Sequence, residues 1–320
     1  MNGDTLMYKL PRQTSVERRG VFKPVQSLLG LKGFIVSSFL KDEIYRFNES
    51  NLEPAIFHGK SEPVLIVKEK YLLSASDFLV GLRKRKISKA IFSRIKEVKC
   101  SISPIDAYAD LCKLYPDAFV YLISSPMFGT WIGASPEALL LVENGEGSTV
   151  SLAGTKKRDD HSPWGDKEKE EQQIVTTYLT EKLNKLDFLN SVKVKEREEL
   201  IAGPVKHLAT EFTFNVPLGK ELEIADILHP TPAVSGWPQQ EAMNLISDHE
   251  DHERRLYSGI VGLIEKDSTN LFVNLRCGEL REKSAILHVG GGFTVDSIPE
   301  EEWEETELKS ETLTNVLQNT

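Results

Sequence analysis

Cysteine is scarce in this chain. Its three cysteines, Cys100, Cys112 and Cys277, lie far apart with no CxxC pair, which argues against a disulfide scaffold or a thiolate metal site and fits a reducing compartment. A basic excess is also missing. With 39 Lys and Arg against 48 Asp and Glu, the formal net charge is −9, so the footprint that phosphate contact demands is absent and no nucleic-acid partner is expected. The one basic cluster, Arg83-Lys84-Arg85-Lys86, is short and reads as a solvated lead-in to a strand. No run of about 18 apolar residues occurs, and residues 1–12 carry no apolar core. Neither a membrane span nor a secretory signal is expected, and the expectation is a cytoplasmic protein. The seven histidines show no HExxH or similar spacing. His249 and His252 sit in the charged stretch 248–255 and are expected at the surface.

What is present is a folded, globular composition: 40% apolar and 27% charged over 320 residues, with a substantial core. No internal repeat or low-complexity segment stands out. Short apolar runs such as Gly33-Phe34-Ile35-Val36, up to about residue 70, read as a β-rich N-terminal lobe within residues 1–80. Residues 87–98 alternate around Ile91, Ser93 and Ile95 and predict a strand. Residues 119–123 and 130–133 predict a hairpin, followed by strands at 139–142 and 149–152. Helices are predicted over about 167–186, 238–246 and 299–317, and the polar segment 156–166 reads as a mobile loop. Strands mixed with isolated helices, without βαβ spacing, point to an α+β fold built on a large, mostly antiparallel sheet.

Several residues stand where chemistry could happen. Gly290-Gly291-Gly292 follows an apolar alternating segment and precedes Ser297-Ile298-Pro299 and an acidic helix. Glycines there admit backbone N–H groups close to an anion. In the helix, Glu302, Glu305 and Lys309 fall at i, i+3 and i+7 on the side that continues to Leu313 and Val316. Acids in a first turn also complement the helix dipole. Glu171 precedes Ile174 and Val175 by three and four residues and so edges the apolar stripe of its helix, although most glutamates in such a run are solvated. Glu137, after Ala134-Ser135-Pro136, sits at a strand edge where glutamates are usually exposed. Lys89 shares the parity of Ile91 and Ser93. Arg276, at the end of an apolar strand, needs an anion, with Glu279 as the structural alternative. Two carboxylates about 4 Å apart repel by about 4 kcal/mol at an effective dielectric near 20, so joining Glu171 to Glu305 needs a cation. Oxygen-only ligands favour magnesium over zinc.

Together these segments resemble the chorismate-utilising enzymes: the isochorismate, salicylate, anthranilate and aminodeoxychorismate synthases. The resemblance is carried by Ser93-Arg94 after Lys89, Gly133-Ala134-Ser135-Pro136-Glu137, Leu152-Ala153-Gly154-Thr155 and His207-Leu208-Ala209-Thr210. It continues with Leu228-His229-Pro230-Thr231-Pro232-Ala233, Tyr257-Ser258-Gly259-Ile260-Val261-Gly262, Leu275-Arg276-Cys277, the glycine run and Glu302-Trp303-Glu304-Glu305-Thr306. These motifs span residues 85–310 in the family's order, while the first 80 residues carry none. The resemblance implies one domain over 1–320, a β-sandwich of antiparallel sheets with helices outside.

Within the family the chain looks most like isochorismate synthase. Water-adding members carry lysine where Lys89 stands and the ammonia-adding type carries glutamine. Anthranilate and salicylate enzymes typically have threonine at the place of Ala233. The resemblance implies that Lys89 activates water for attack on C2 of chorismate and that Glu137 protonates the departing C4 hydroxyl. It further implies that Glu171 and Glu305, with Glu302 close by, hold Mg2+ against the ring carboxylate. Tyr257, Arg276 and the backbone of Gly290, Gly291 and Gly292 would bind the side-chain carboxylate. Ala153, Gly154, Thr155, His207, Ala233 and Lys309 would line the pocket. No obligatory amidotransferase partner is expected. The rivals are a salicylate synthase, an ammonia-using synthase and a non-catalytic dicarboxylate-binding relative. Two departures stand out: Glu171 is followed by Gln172 where relatives commonly have histidine, and the loop before it is short.

Overall fold

A computed structural model describes residues 2–58 and 67–318. The chain opens with β1 (Gly3–Lys9), β2 (Val16–Val25), β3 (Gly33–Ser37), β4 (Ile44–Glu49) and β5 (Pro54–Ala55). Then come α1 (Lys68–Lys84), β6 (Lys89–Lys99), α2 (Pro104–Leu114), β7 (Phe119–Ser125), β8 (Gly129–Ser135) and β9 (Ala138–Glu143). The middle holds β10 (Glu146–Lys157), α3 (Asp166–Asn184), β11 (Lys193–Val194), β12 (Glu198–Ala202), β13 (Val205–Asn215) and α4 (Glu221–Leu228). The rest is β14 (Gly236–Trp237), α5 (Gln239–His249), β15 (Ile260–Ile264), β16 (Ser268–Val273), β17 (Cys277–Leu280), β18 (Ser284–Phe293) and α6 (Pro299–Leu317).

The strands pair in one continuous antiparallel path. One wing runs β14-β6-β18-β17-β8-β7-β1. The path then turns through β2, β4 and β3 into the second wing, β15-β16-β9-β10-β13. Only the short β5 joins in parallel, beside β1, among the described strands. The wings face each other: Phe119 of β7 stacks on Phe272 of β16 with centroids 4.5 Å apart and planes 3° from parallel. Leu6, Phe34, Tyr121 and Val261 bury around that stack. This is the two-layer antiparallel sandwich with outer helices that the sequence predicts, with α3 on β10 and α6 on β18.

Three helices go beyond the sequence reading. Helix α1 buries Tyr71, Ala75, Phe78, Leu79 and Leu82, yet Leu73 and Val80 stay exposed, which blurs its apolar stripe. Helix α2 starts at Pro104 with Ser103 as cap, its hydroxyl accepting from the Asp106 N–H at 3.1 Å. Helix α4 has only eight residues. The N-terminal strands form no separate lobe, since β1 pairs with β7 and β3 with β15, and α1 already occupies residues 68–84. The part of that predicted lobe at 59–66 lies outside the described residues. The basic cluster is exposed, as expected of a solvated lead-in, and closes α1 just before β6 begins.

Two more expectations change. Segment 248–255 is only partly at the surface: Asp248, Asp251 and Glu253 are exposed, but Glu250 grips the Ser93 N–H and hydroxyl at 2.7 Å, and Arg254 binds Glu250 and the carbonyls of Val234 and Ile91. Burial would raise the Glu250 carboxyl, but Arg254 outweighs it and holds the pKa below the usual range. His252 is half-buried against the Ser93 hydroxyl, 3.1 Å away. The loop before α3 is tied down, because Lys156 donates to Ser162 Oγ and the Pro163 carbonyl, each at 2.8 Å.

Candidate active site

The site lies where the glycine end of β18 meets α3, α6 and the strand ends of the second wing. Lys89 opens β6, the innermost neighbour of β18, and is 2% exposed. Glu137 follows β8 and is 4% exposed rather than solvated. Burial lifts its pKa from 4.5 to about 8 despite the nearby cations Lys89, Lys309 and Arg276. A carboxyl so placed keeps its proton at neutral pH. Both residues line one cavity, together with Ala153, Gly154, Thr155, Glu171, His207, Ala233, Tyr257, Arg276, Gly290, Gly292, Glu305 and Lys309. Of the residues singled out in the sequence, Gly291 and Glu302 alone do not line it.

The reason is the pleat of β18. Lys309 Nζ donates to the Gly290 carbonyl at 3.0 Å, while the Ser93 N–H opposite Gly290 goes to Glu250. Gly290 therefore sits at a non-hydrogen-bonded position of the β6 ladder, as does Gly292 two residues on, and Gly291 pairs with Phe92 between them. The peptide groups of Gly290 and Gly292 turn to the cavity; that of Gly291 does not. The missing side chains matter as much. A Cβ on Gly290 would stand 2.9 Å from the Tyr257 hydroxyl, and one on Gly292 would stand 2.7 Å from Glu171 Oε2. On the opposite face of the strand, a Cβ on Gly291 would meet Glu302 Oε2 at 2.8 Å. All three glycines serve close approach.

The carboxylates thus wrap around the strand, and lysines bridge them. Lys89 Nζ lies 3.5 Å from Glu171 Oε2, and Lys309 Nζ lies 2.6 Å from Glu305. Lys167, in the first turn of α3, reaches 2.5 Å from Glu302 and 3.9 Å from Glu171. Glu302 also accepts from Ser297 Oγ at 2.7 Å, while its Oε2 is buried without a hydrogen-bond partner. Burial, with the neighbouring Glu305, raises the pKa of Glu302 to about 7, and burial raises Glu171 likewise. Glu305 goes down, because Lys309 outweighs its burial. Among the described residues no three His, Cys, Asp or Glu side chains are grouped as they would be around a bound metal ion.

Opposite the glycines, Arg276 does not pair with Glu279, which binds Arg255 at 2.7 Å instead. Its guanidinium lies 3.2 Å from His207 Nε2 and donates to the Lys309 carbonyl at 3.3 Å. A guanidinium only donates, so Nε2 accepts and Nδ1–H of His207 donates to the Gly154 carbonyl at 2.9 Å. His207 is neutral, its pKa lowered to about 3 by burial and then by Arg276. Gly154 takes φ +69° at a bulge of β10, with Glu168 of α3 packed against it. Gln172, the departure next to Glu171, is buried with its amide nitrogen 2.7 Å from Ser151 Oγ and 2.9 Å from Thr210 Oγ1. It ties α3 to β10 and β13.

Residues 58–315 match the model of the chorismate binding enzyme family. The chain belongs to that family. Among curated relatives, isochorismate synthase EntC of Escherichia coli (strain K12) is 31% identical over 246 residues, 72% of this chain and 62% of that protein. Anthranilate synthase component 1 of Aquifex aeolicus (strain VF5) is 26% identical over 229 residues, 68% of this chain and 46% of that protein. The chain thus spans less than two thirds of the length of these chorismate-family relatives. Among solved structures, MenF, the menaquinone-specific isochorismate synthase from Escherichia coli, superposes with a TM-score of 0.82 at 17% identity, covering 99% of this chain and 89% of that one. At that identity the likeness establishes the shared chorismate-binding fold.

Sequence reasoning missed Lys167 and the Glu250–Arg254 pair. Both sat in charged runs that read as solvent-facing. The four-residue spacing of Glu250 and Arg254 is a signal for their pairing, but no local spacing reports that Ser93 and Ile91, or Glu302 for Lys167, lie against them.

Proposed function

We propose that this chain is a magnesium-dependent isochorismate synthase, converting chorismate to isochorismate. The observation that carries the reading is a buried lysine and a buried carboxyl, Lys89 and Glu137, lining one cavity, with burial raising the carboxyl pKa to about 8. Lys89 is the base: its amine takes a proton from water as the water oxygen bonds to C2 of the ring. Glu137 is the acid: its proton goes to the C4 hydroxyl, which leaves as water while the ring double bond shifts. Lysine rather than glutamine at position 89, and alanine at 233, support water addition over ammonia addition or onward pyruvate loss. The 31% identity to an isochorismate synthase points the same way.

The donor type present suits a hard divalent cation, although the described carboxylates are not gathered around one point without it. The donors are carboxylate oxygens: burial raises the pKa of Glu171 and Glu302, Lys309 lowers that of Glu305, and Glu302 Oε2 lacks a partner. Glu171 and Glu305 would hold the ion, with Glu302 behind the strand. Bound magnesium supplies a Lewis acid that grips the ring carboxylate and offsets its charge. Arg276, oriented by His207, grips the side-chain carboxylate with the peptide groups of Gly290 and Gly292, and Tyr257 closes that end. The test is purified protein with chorismate and Mg2+, products separated by chromatography. Isochorismate alone is expected. Salicylate with pyruvate, ammonia-dependent anthranilate, or binding without turnover would each overturn the reading.

A further inference from the structure

Lys89, Lys167 and Lys309 face Glu171, Glu302 and Glu305, so each of these carboxyl groups already has a lysine beside it before any cation arrives. An ammonium and a divalent ion on the same carboxylates repel twice as strongly as two ammoniums would. One lysine has to yield, and the geometry singles out which. Lys89 is enclosed at 2% side-chain exposure, and Lys309 is anchored to the Gly290 carbonyl and to Glu305 on its own helix. Lys167 reaches in from outside, its side chain 25% exposed, and spans from Glu302 behind β18 to Glu171 on the cavity side. It also stands in the first turn of α3, where the helix dipole disfavours a cation. The Glu302 oxygen that Lys167 leaves unpartnered is buried beside it.

We propose that Lys167 is an internal counter-cation: it holds Glu302 and Glu171 together in the metal-free protein and is displaced to solvent when a divalent cation binds. It is a positioning residue, and its role rests on the cation reading above. Metal uptake is then an exchange of one ammonium for the ion, so Lys167 weakens affinity while keeping the empty site folded.

Two measurements on the full chain without chorismate test this. Mn2+ titration followed by electron paramagnetic resonance should show about tenfold tighter binding in Lys167→Met and wild-type affinity in Lys167→Arg. Thermal melts should show Lys167→Met destabilised without metal and restored by Mg2+. Acetylation of Lys167, read by mass spectrometry in the wild-type protein, should quicken several-fold on adding Mg2+, because the amine swings out. Unchanged or weaker Mn2+ binding in Lys167→Met, or Lys167 acetylation indifferent to Mg2+, overturns the displacement while leaving the cation site standing. No Mn2+ binding in either protein overturns the cation site and this inference together.

Discussion

Glu137→Gln keeps the shape of the side chain that faces Lys89 across the cavity and removes its ionisable proton. In the folded protein burial raises this carboxyl from 4.5 to about 8. An unfolded chain ionises it near 4.5, so the folded state binds the proton more tightly. The stabilisation is complete below pH 4.5 and is lost as pH rises through about 8. At about 1.4 kcal/mol per pKa unit the full span is worth about 5 kcal/mol, of which about 4 kcal/mol falls between pH 5 and 9. Glutamine carries no such dependence. Every other titrating group is common to both proteins, so the difference between their melting temperatures isolates this one. At about 2 °C per kcal/mol for a chain of this size, Glu137→Gln should gain about 8 °C on wild type between pH 5 and 9 in calorimetry. Over the same range its turnover should fall by about 10²- to 10⁴-fold, and the alkaline limb near pH 8 should disappear with it. A melting difference that does not change with pH refutes the buried, protonated state. Turnover within tenfold of wild type refutes the acid role.

The remaining expectations use the same logic. Gly292→Ala places a methyl 2.7 Å from Glu171 Oε2 and 3.0 Å from Lys89 Cε, both movable side-chain atoms, so the fold should survive while Mg2+ affinity drops about tenfold by calorimetric titration. Gly154→Ala forces a side chain into φ +69° with its Cβ 2.9 Å from Glu168 Cβ, and should cost about 3 kcal/mol in urea unfolding. Trp303→Leu removes the ring that Arg94 covers at 3.7 Å, while Arg94 still binds Thr306 and Glu307. It should lose about 1–2 kcal/mol in the same assay. Lys89→Ala should abolish turnover yet leave chorismate binding measurable by titration.

The helical spacing of Glu302, Glu305 and Lys309, the parity of Lys89 with Ile91, and the edge position of Glu171 are local properties, repeated every turn or every second residue. The ordered run of motifs and these spacings were enough to indicate the family, the antiparallel architecture and most of the residues around the cavity. Local spacing could not say which charged side chains lose their water. Glu137 reads as a strand-edge glutamate, and only the packing of β8, β9 and β17 around it makes it buried and protonated. The glycine run reads as an anion cradle from sequence. The fold reveals that what the absent Cβ atoms admit is the Tyr257 hydroxyl and two carboxylates, on opposite faces of one strand. Lys167 and Glu302 are 135 residues apart, and Arg276 and His207 are 69 apart. Such pairs form because sheet register and helix packing bring distant segments together, and burial then makes each charge depend on its partner. The sequence by itself determined the set of chemical groups and the face each one takes on its own element. Tertiary structure alone decided which of them meet, and in what state of protonation.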